Sequence, residues 1–200
     1  MPTRIFLLRH AESADPTVFH GAESDIGLSE RGVRQAAEVA AYLATRRPDR
    51  VISSAMRRAR ETAAPIAQAC GVPHLIEPGL HERKVGAMSG KPRGTGEDAW
   101  PETLRRWQAG ETNYASDGAE SYDAMCHRLL PIWERIVRTY AEQTTVVVAH
   151  GVVCKVLLLN ILPGLSIADW QRLGPIANVV VMELIQSGDG PWQLLTRSDS

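Results

Sequence analysis

Thr3-Arg4-Ile5-Phe6-Leu7-Leu8-Arg9-His10 opens the chain with a short apolar and β-branched run that breaks off in charge. Such a run suits a central strand over Thr3 to Leu8 that delivers Arg9 and His10 at its carboxyl end. The same design returns late in the chain, where Thr144 to Ala149 is a continuous β-branched strand ending at His150-Gly151. Between the two, the spacing predicts alternating helices and strands. Ser29 is an N-cap before a helix with apolar residues at Val33, Ala36, Ala37, Ala40 and Leu43, closed by Pro48. Val51 to Ser53 is a second buried strand, followed by a helix from about Met56 to Cys70 that Gly71 and Pro73 stop. Met125, Leu129, Ile132, Ile136 and Tyr140 mark a helix before the 144–149 strand. The last strands are expected at Val179 to Ile185 and Trp192 to Leu195. Alternation of this kind predicts a three-layer α/β/α fold with a mostly parallel central sheet, in which ligands gather beyond the carboxyl ends of the strands.

The 200 residues are expected to form one domain, 1–200. Between Gly79 and Ser121 the periodicity lapses into a glycine-containing polar stretch with a short helical piece near Pro101 to Trp107. The part from about 83 to 119 reads as a lid or insertion over the site. A net charge of −1 and a pI near 6.6 give no overall basic field, so neither a nucleic-acid nor a membrane partner is expected. Only four apolar residues precede Arg9, too few for a signal peptide or spanning helix, which favours the cytoplasm. Cys70, Cys126 and Cys154 are far apart, form no C-x-x-C pair and read as reduced core residues. Oligomeric state has no sequence signal.

Phosphoryl transfer needs an acceptor atom, positive groups that neutralise the oxygens of the moving phosphoryl, and a proton donor for the departing alcohol. In a parallel sheet the imidazoles of His10 and His150, each following a strand, face one phosphate. Arg58 lies at the start of a helix directly after a strand, where backbone N–H groups, the helix dipole and a guanidinium fork all favour an anion.

These residues fall in blocks that resemble the histidine phosphatase superfamily, the phosphoglycerate mutase-like proteins. Leu8-Arg9-His10-Ala11-Glu12-Ser13 is similar to the family's R-H-G-E-[ST] signature, with Ala11 in place of glycine. Leu28 to Gly32 with Gln35-Ala36, Ser53 to Ala63, Leu80-His81-Glu82 and Ala149-His150-Gly151 follow in the family's order, and Gly118 to Ser121 with Arg128 resembles its G-E-S element. The resemblance spans Leu7 to about Leu159. It implies a nucleophile at His10 that becomes a phosphohistidine, a proton donor at Glu82, and phosphoryl binding by Arg9, Arg58 and His150 with Gly151 beside them. It implies no metal and no cofactor. The ligand is then a small phosphorylated substrate. Phosphomonoester hydrolysis is the leading expectation, with a cofactor-dependent phosphoglycerate mutase or a non-catalytic phospholigand-binding module as alternatives. The stretch from Glu82 to Glu120 is shorter than the mutases' insertion, which favours hydrolysis.

The chain departs from the family pattern at Pro16, where asparagine often helps to hold phosphate; Ser13, Thr17 or a backbone N–H is expected to substitute. His81 either lines the substrate pocket or is exposed. Lys84, Lys91 and Arg93 either meet a second anionic group on the ligand or are solvated. Bland roles are expected elsewhere: Arg57 and Arg60 as a solvated helix face, His20, His74 and His127 as structural, Glu120 and Ser121 as a helix-capping pair, and the five tryptophans as core or lid packing.

Overall fold

The structure, a computed structural model, describes residues 1–93 and 99–198 of the chain. The apolar runs become strands β1 (Thr3–Arg9), β2 (Arg50–Ser54), β3 (His74–Glu77), β4 (Thr144–Ala149), β5 (Val181–Gln186) and β6 (Gln193–Arg197). They form one sheet in the order β3-β2-β4-β1-β5-β6. β1, β4, β2 and β3 pair in parallel, and β5 runs antiparallel to both β1 and β6, so the sheet is mixed with a parallel majority. The helices are α1 (Glu30–Ala44), α2 (Arg57–Cys70), α3 (Trp100–Gln108), α4 (Tyr122–Thr139) and α5 (Gly151–Ile161).

The period of two along β1 divides the core. Ile5 and Leu7 pack with Met125, Leu129 and Trp133 of α4 and Val153, Val156 and Leu157 of α5. Phe6 and Leu8 pack with Val39, Ala40 and Leu43 of α1 and Ala59, Ala63 and Ile66 of α2. The sheet is therefore covered on both faces, the three-layer arrangement that the alternation predicts. No helix among the described residues is long and apolar enough to cross a membrane.

Register carries the fold to the site. Arg9 lies opposite Ala149 and Leu8 opposite Val148, so His10 and His150 leave adjacent parallel strands at the same level. Ser53 lies opposite Val148 and Ser54 opposite Glu77, which brings the start of α2 and the loop after β3 to that same edge.

Local details differ from the sequence reading at three places. On α1 the buried stripe is Gly32, Ala36, Val39, Ala40 and Leu43, while Val33 and Ala37 face solvent. The phase is set by Gly32: a Cβ there would lie 2.1 Å from the carbonyl oxygen of Glu12, so glycine lets the helix press against the loop that follows His10. Ser29 caps this helix as expected, its Oγ accepting from the Gly32 N–H at 2.9 Å and donating to Glu12. Strand β3, His-Leu-Ile-Glu at the sheet edge, has no sequence counterpart because Leu75 and Ile76 are both exposed and no alternation results. The two final strands begin later than expected, since residues 176–179 are taken up in contacts with the end of β1.

Candidate active site

His10 is 4% exposed and His150 fully buried. Their ring centroids are 5.1 Å apart in an edge-on arrangement. Nδ1 of His10 lies 2.6 Å from the Ala11 carbonyl oxygen, so that nitrogen carries the proton and donates, and Nε2 keeps its lone pair. Nε of Arg58 donates to this Nε2 at 3.3 Å. The rest of the Arg58 fork is spent on the loop above, with Nη1 donating to the Ser24 carbonyl at 2.7 Å and Nη2 to that of Gly21 at 3.4 Å. Arg57 and Arg60 point to solvent, as expected for a helix face.

The residues around 176–179 hold Arg9 and His10 by further contacts. Arg9 donates from Nη1 to the Ile176 carbonyl at 2.9 Å, Asn178 donates from Nδ2 to the His10 carbonyl at 2.8 Å, and the Val179 N–H donates to the Arg9 carbonyl at 3.1 Å. Val179 adopts φ 53°, a left-handed conformation that costs a β-branched residue about 1–3 kcal/mol. Three contacts to Arg9 and His10 hold it there.

Glu82 reaches the site from the loop after β3. One carboxylate oxygen accepts from the Arg83 N–H at 2.9 Å and the other from the Val152 N–H at 3.4 Å, in the first turn of α5. Arg128 supports that loop with a bidentate pair to Glu120 at 2.8 Å and hydrogen bonds to the carbonyls of Gly79 and His81. Ser121 caps α4 as expected, whereas Glu120 serves this ion pair instead of the cap.

Both imidazoles are held well below the usual histidine range. For His10 burial is the main cause, followed by Arg9 and Arg58. For His150 burial again leads, followed by His10, Arg58 and Arg9. Among the described residues neither ring nitrogen of His150 has a hydrogen-bond partner, and Nε of Arg9 is likewise buried without one. Neither Arg9 nor Arg58 forms an ion pair among the described residues. Orphaned donors and unneutralised guanidiniums around two neutral imidazoles make a site built for an anion.

The histidine shifts set a pH dependence of stability. In the unfolded chain both imidazoles protonate below about pH 6.5, whereas the folded protein resists those protons. The unfolded state binds more protons in that window, so stability is lost as pH falls below about 6.5, at up to about 1.4 kcal/mol per pH unit for each histidine. Denaturant unfolding should show wild type losing about 2 kcal/mol more than a His10→Asn/His150→Asn double variant between pH 7 and pH 5.5. Equal losses would remove the two rings as the cause.

A cavity of about 290 Å³ adjoins this cluster, with Arg9, Glu82 and Gly151 in its wall but not His10, Arg58 or His150. The segment after Glu82 contributes Val85, Met88, Trp100, Thr103 and Ser116 to its lining. Part of the expected lid, residues 94–98, lies outside the described residues. Of Ser13, Thr17, His81 and Lys91, expected on the substrate side, none lines the cavity. Ser13 is buried and bridged to Leu28, Thr17 is exposed with its hydroxyl donating to Asp15 at 2.6 Å, His81 is held to the Glu82 carbonyl, and Lys91 is exposed. His20, expected to be only structural, lines it, as does Arg93. Unanticipated lining comes from Lys155, Trp170 and Ile176. Lys155 follows Gly151 by one helical turn, and that spacing was the available signal; residues 176–179 carried none.

The family model of the histidine phosphatase superfamily (branch 1) matches residues 5–200. The chain is 32% identical over 203 residues to a metal-independent phosphoserine phosphatase of Arabidopsis thaliana, covering 98% of this chain and 82% of that protein. It is 30% identical to a bifunctional protein of Mycobacterium tuberculosis, of whose length it spans 54%. Among solved structures, a mycobacterial glucosyl-3-phosphoglycerate phosphatase superposes with a TM-score of 0.83 at 26% identity, covering 98% of both chains.

Proposed function

The chain belongs to the histidine phosphatase superfamily, branch 1, and from that premise we propose that it hydrolyses a small phosphate monoester through a phosphohistidine at His10. The observation that carries this reading is His10 Nε2, left as an acceptor by the Nδ1 contact to Ala11 and met by Arg58 Nε at 3.3 Å, with the ring of His150 5.1 Å from its own. Nε2 attacks phosphorus as the ester P–O bond breaks. Arg9, Arg58 and a His150 N–H draw charge from the phosphoryl oxygens in a site that excludes water. Glu82, in the cavity wall, gives its proton to the departing alkoxide. The resulting carboxylate then takes a proton from water as the water oxygen attacks phosphorus, the N–P bond breaks, and inorganic phosphate leaves. The Gly151 N–H, at the start of α5, faces the same anion with the favourable end of the helix dipole.

The relatives named for phosphoserine and glucosyl-3-phosphoglycerate define the starting substrates. Phosphate release from a panel containing both, with His10→Ala as the blank, should give turnover of at least one panel member well above that blank. Interconversion of phosphoglycerates without phosphate release, or no turnover of any ester at high enzyme concentration, would overturn hydrolysis.

A further inference from the structure

One turn along α5 from the phosphoryl end, a second set of cations lines the cavity. Gly151 and Lys155 are four residues apart and so share one face of the helix, about 6 Å apart along its axis. Lys155 is 8% exposed, and its ammonium donates to the Trp170 carbonyl at 3.0 Å while lying 4.7 Å from that indole ring. That leaves donors unused on a group with three. Arg83, 4% exposed, lines the same cavity; its Nε donates to the Glu120 carbonyl, and its Nη2 is buried without a partner among the described residues. Neither cation forms an ion pair among the described residues. Burying charges that are not paired is costly, and the charged ends of both lie over indole rings, Arg83 over Trp100 and Trp107 and Lys155 over Trp170, with Glu82, Glu120 and Glu23 acting on Arg83 only from beyond ion-pair distance. Among the described residues the cavity wall thus carries Arg9, Arg83, Arg93 and Lys155 against the single acid Glu82. One phosphoryl group bound at Arg9 leaves a positive excess a short carbon chain away. Burial and Arg197 push the Lys155 ammonium down to about 8, in keeping with a cation that lacks an anion.

We propose that Lys155 and Arg83 form a second anion subsite, and that the substrate's leaving alcohol bears a carboxylate which this subsite reads. The proposal rests on the phosphatase reading above and makes Lys155 a specificity-determining residue. The tryptophan wall leaves room for a short spacer between the two anions.

Two three-carbon esters that differ at one terminus test it: 3-phosphoglycerate carries a carboxylate where glycerol 3-phosphate carries a hydroxymethyl group. Wild type should favour 3-phosphoglycerate by at least tenfold in kcat/KM. Lys155→Met, which keeps the stem, should cut that preference by tenfold or more, chiefly through KM for 3-phosphoglycerate, and Lys155→Arg should keep most of it. A lysine that merely anchors the Trp170 turn would lower both substrates alike and leave their ratio unchanged, which would overturn the proposal, as would a wild-type ratio near one. Should neither ester be hydrolysed, the phosphatase reading fails for these esters, and tryptophan fluorescence titration with the same pair still decides the subsite. Tighter binding of 3-phosphoglycerate that Lys155→Met abolishes supports it, and equal binding of the two overturns it.

Discussion

His10→Ala is expected to lose phosphate release by a factor of about 10⁴ or more, roughly 5.5 kcal/mol of transition-state stabilisation. The methyl group leaves Arg9, Arg58 and His150 in place, so phosphate should still bind, but no atom remains to accept the phosphoryl group. His150 does not take over, because it emerges from the neighbouring strand with its ring edge-on to His10. Rapid quench into alkali, where phosphohistidine persists, should trap a phosphoenzyme in wild type and none in the variant. A variant that folds normally and retains a tenth of wild-type turnover would remove His10 as nucleophile.

Arg58→Lys should fall by about 10³ in kcat/KM, most of it in kcat, despite keeping the charge. The guanidinium fork is committed in three directions at once: to Nε2 of His10, to the Ser24 carbonyl and to the Gly21 carbonyl. A lysine places one ammonium at the end of a flexible stem and cannot hold all three. It either abandons the nucleophile or releases the loop at residues 21–24, and in both cases the phosphoryl oxygens lose a donor that is rigid before substrate arrives. Steady-state kinetics on the best panel substrate checks this, with thermal unfolding as a control for folding. Activity within threefold of wild type would show that charge alone suffices.

What the sequence made legible follows from how each residue is held. The cores of β1 and β4 are covered on both faces, so they read as continuous apolar runs, and the charged residues that end them could be placed at strand tips. Their equal register then accounts for His10 and His150 meeting. Arg58 was legible because it stands in the first turn of a helix after a buried strand. Lys155 was obscured by the opposite circumstance: α5 is buried nearly throughout, and a single cation in an apolar helix looks like an exception until its neighbours are known. Asn178 and Val179 act through backbone contacts to Arg9 and His10, and such contacts have no residue pattern of their own. The phase of α1 was misread because a glycine, which adds nothing to an apolar stripe, defines its closest approach.

The contacts from Ile176, Asn178 and Val179 to Arg9 and His10 join segments about 170 positions apart along the chain. Every residue proposed to act on the phosphoryl group lies at or before position 151, yet the backbone that holds the imidazole of His10 belongs to residues 176–179. On the proposed mechanism, a chain cut before residue 176 keeps all these side chains but lacks the contacts that hold Arg9 and His10. Such a truncated product should be inert.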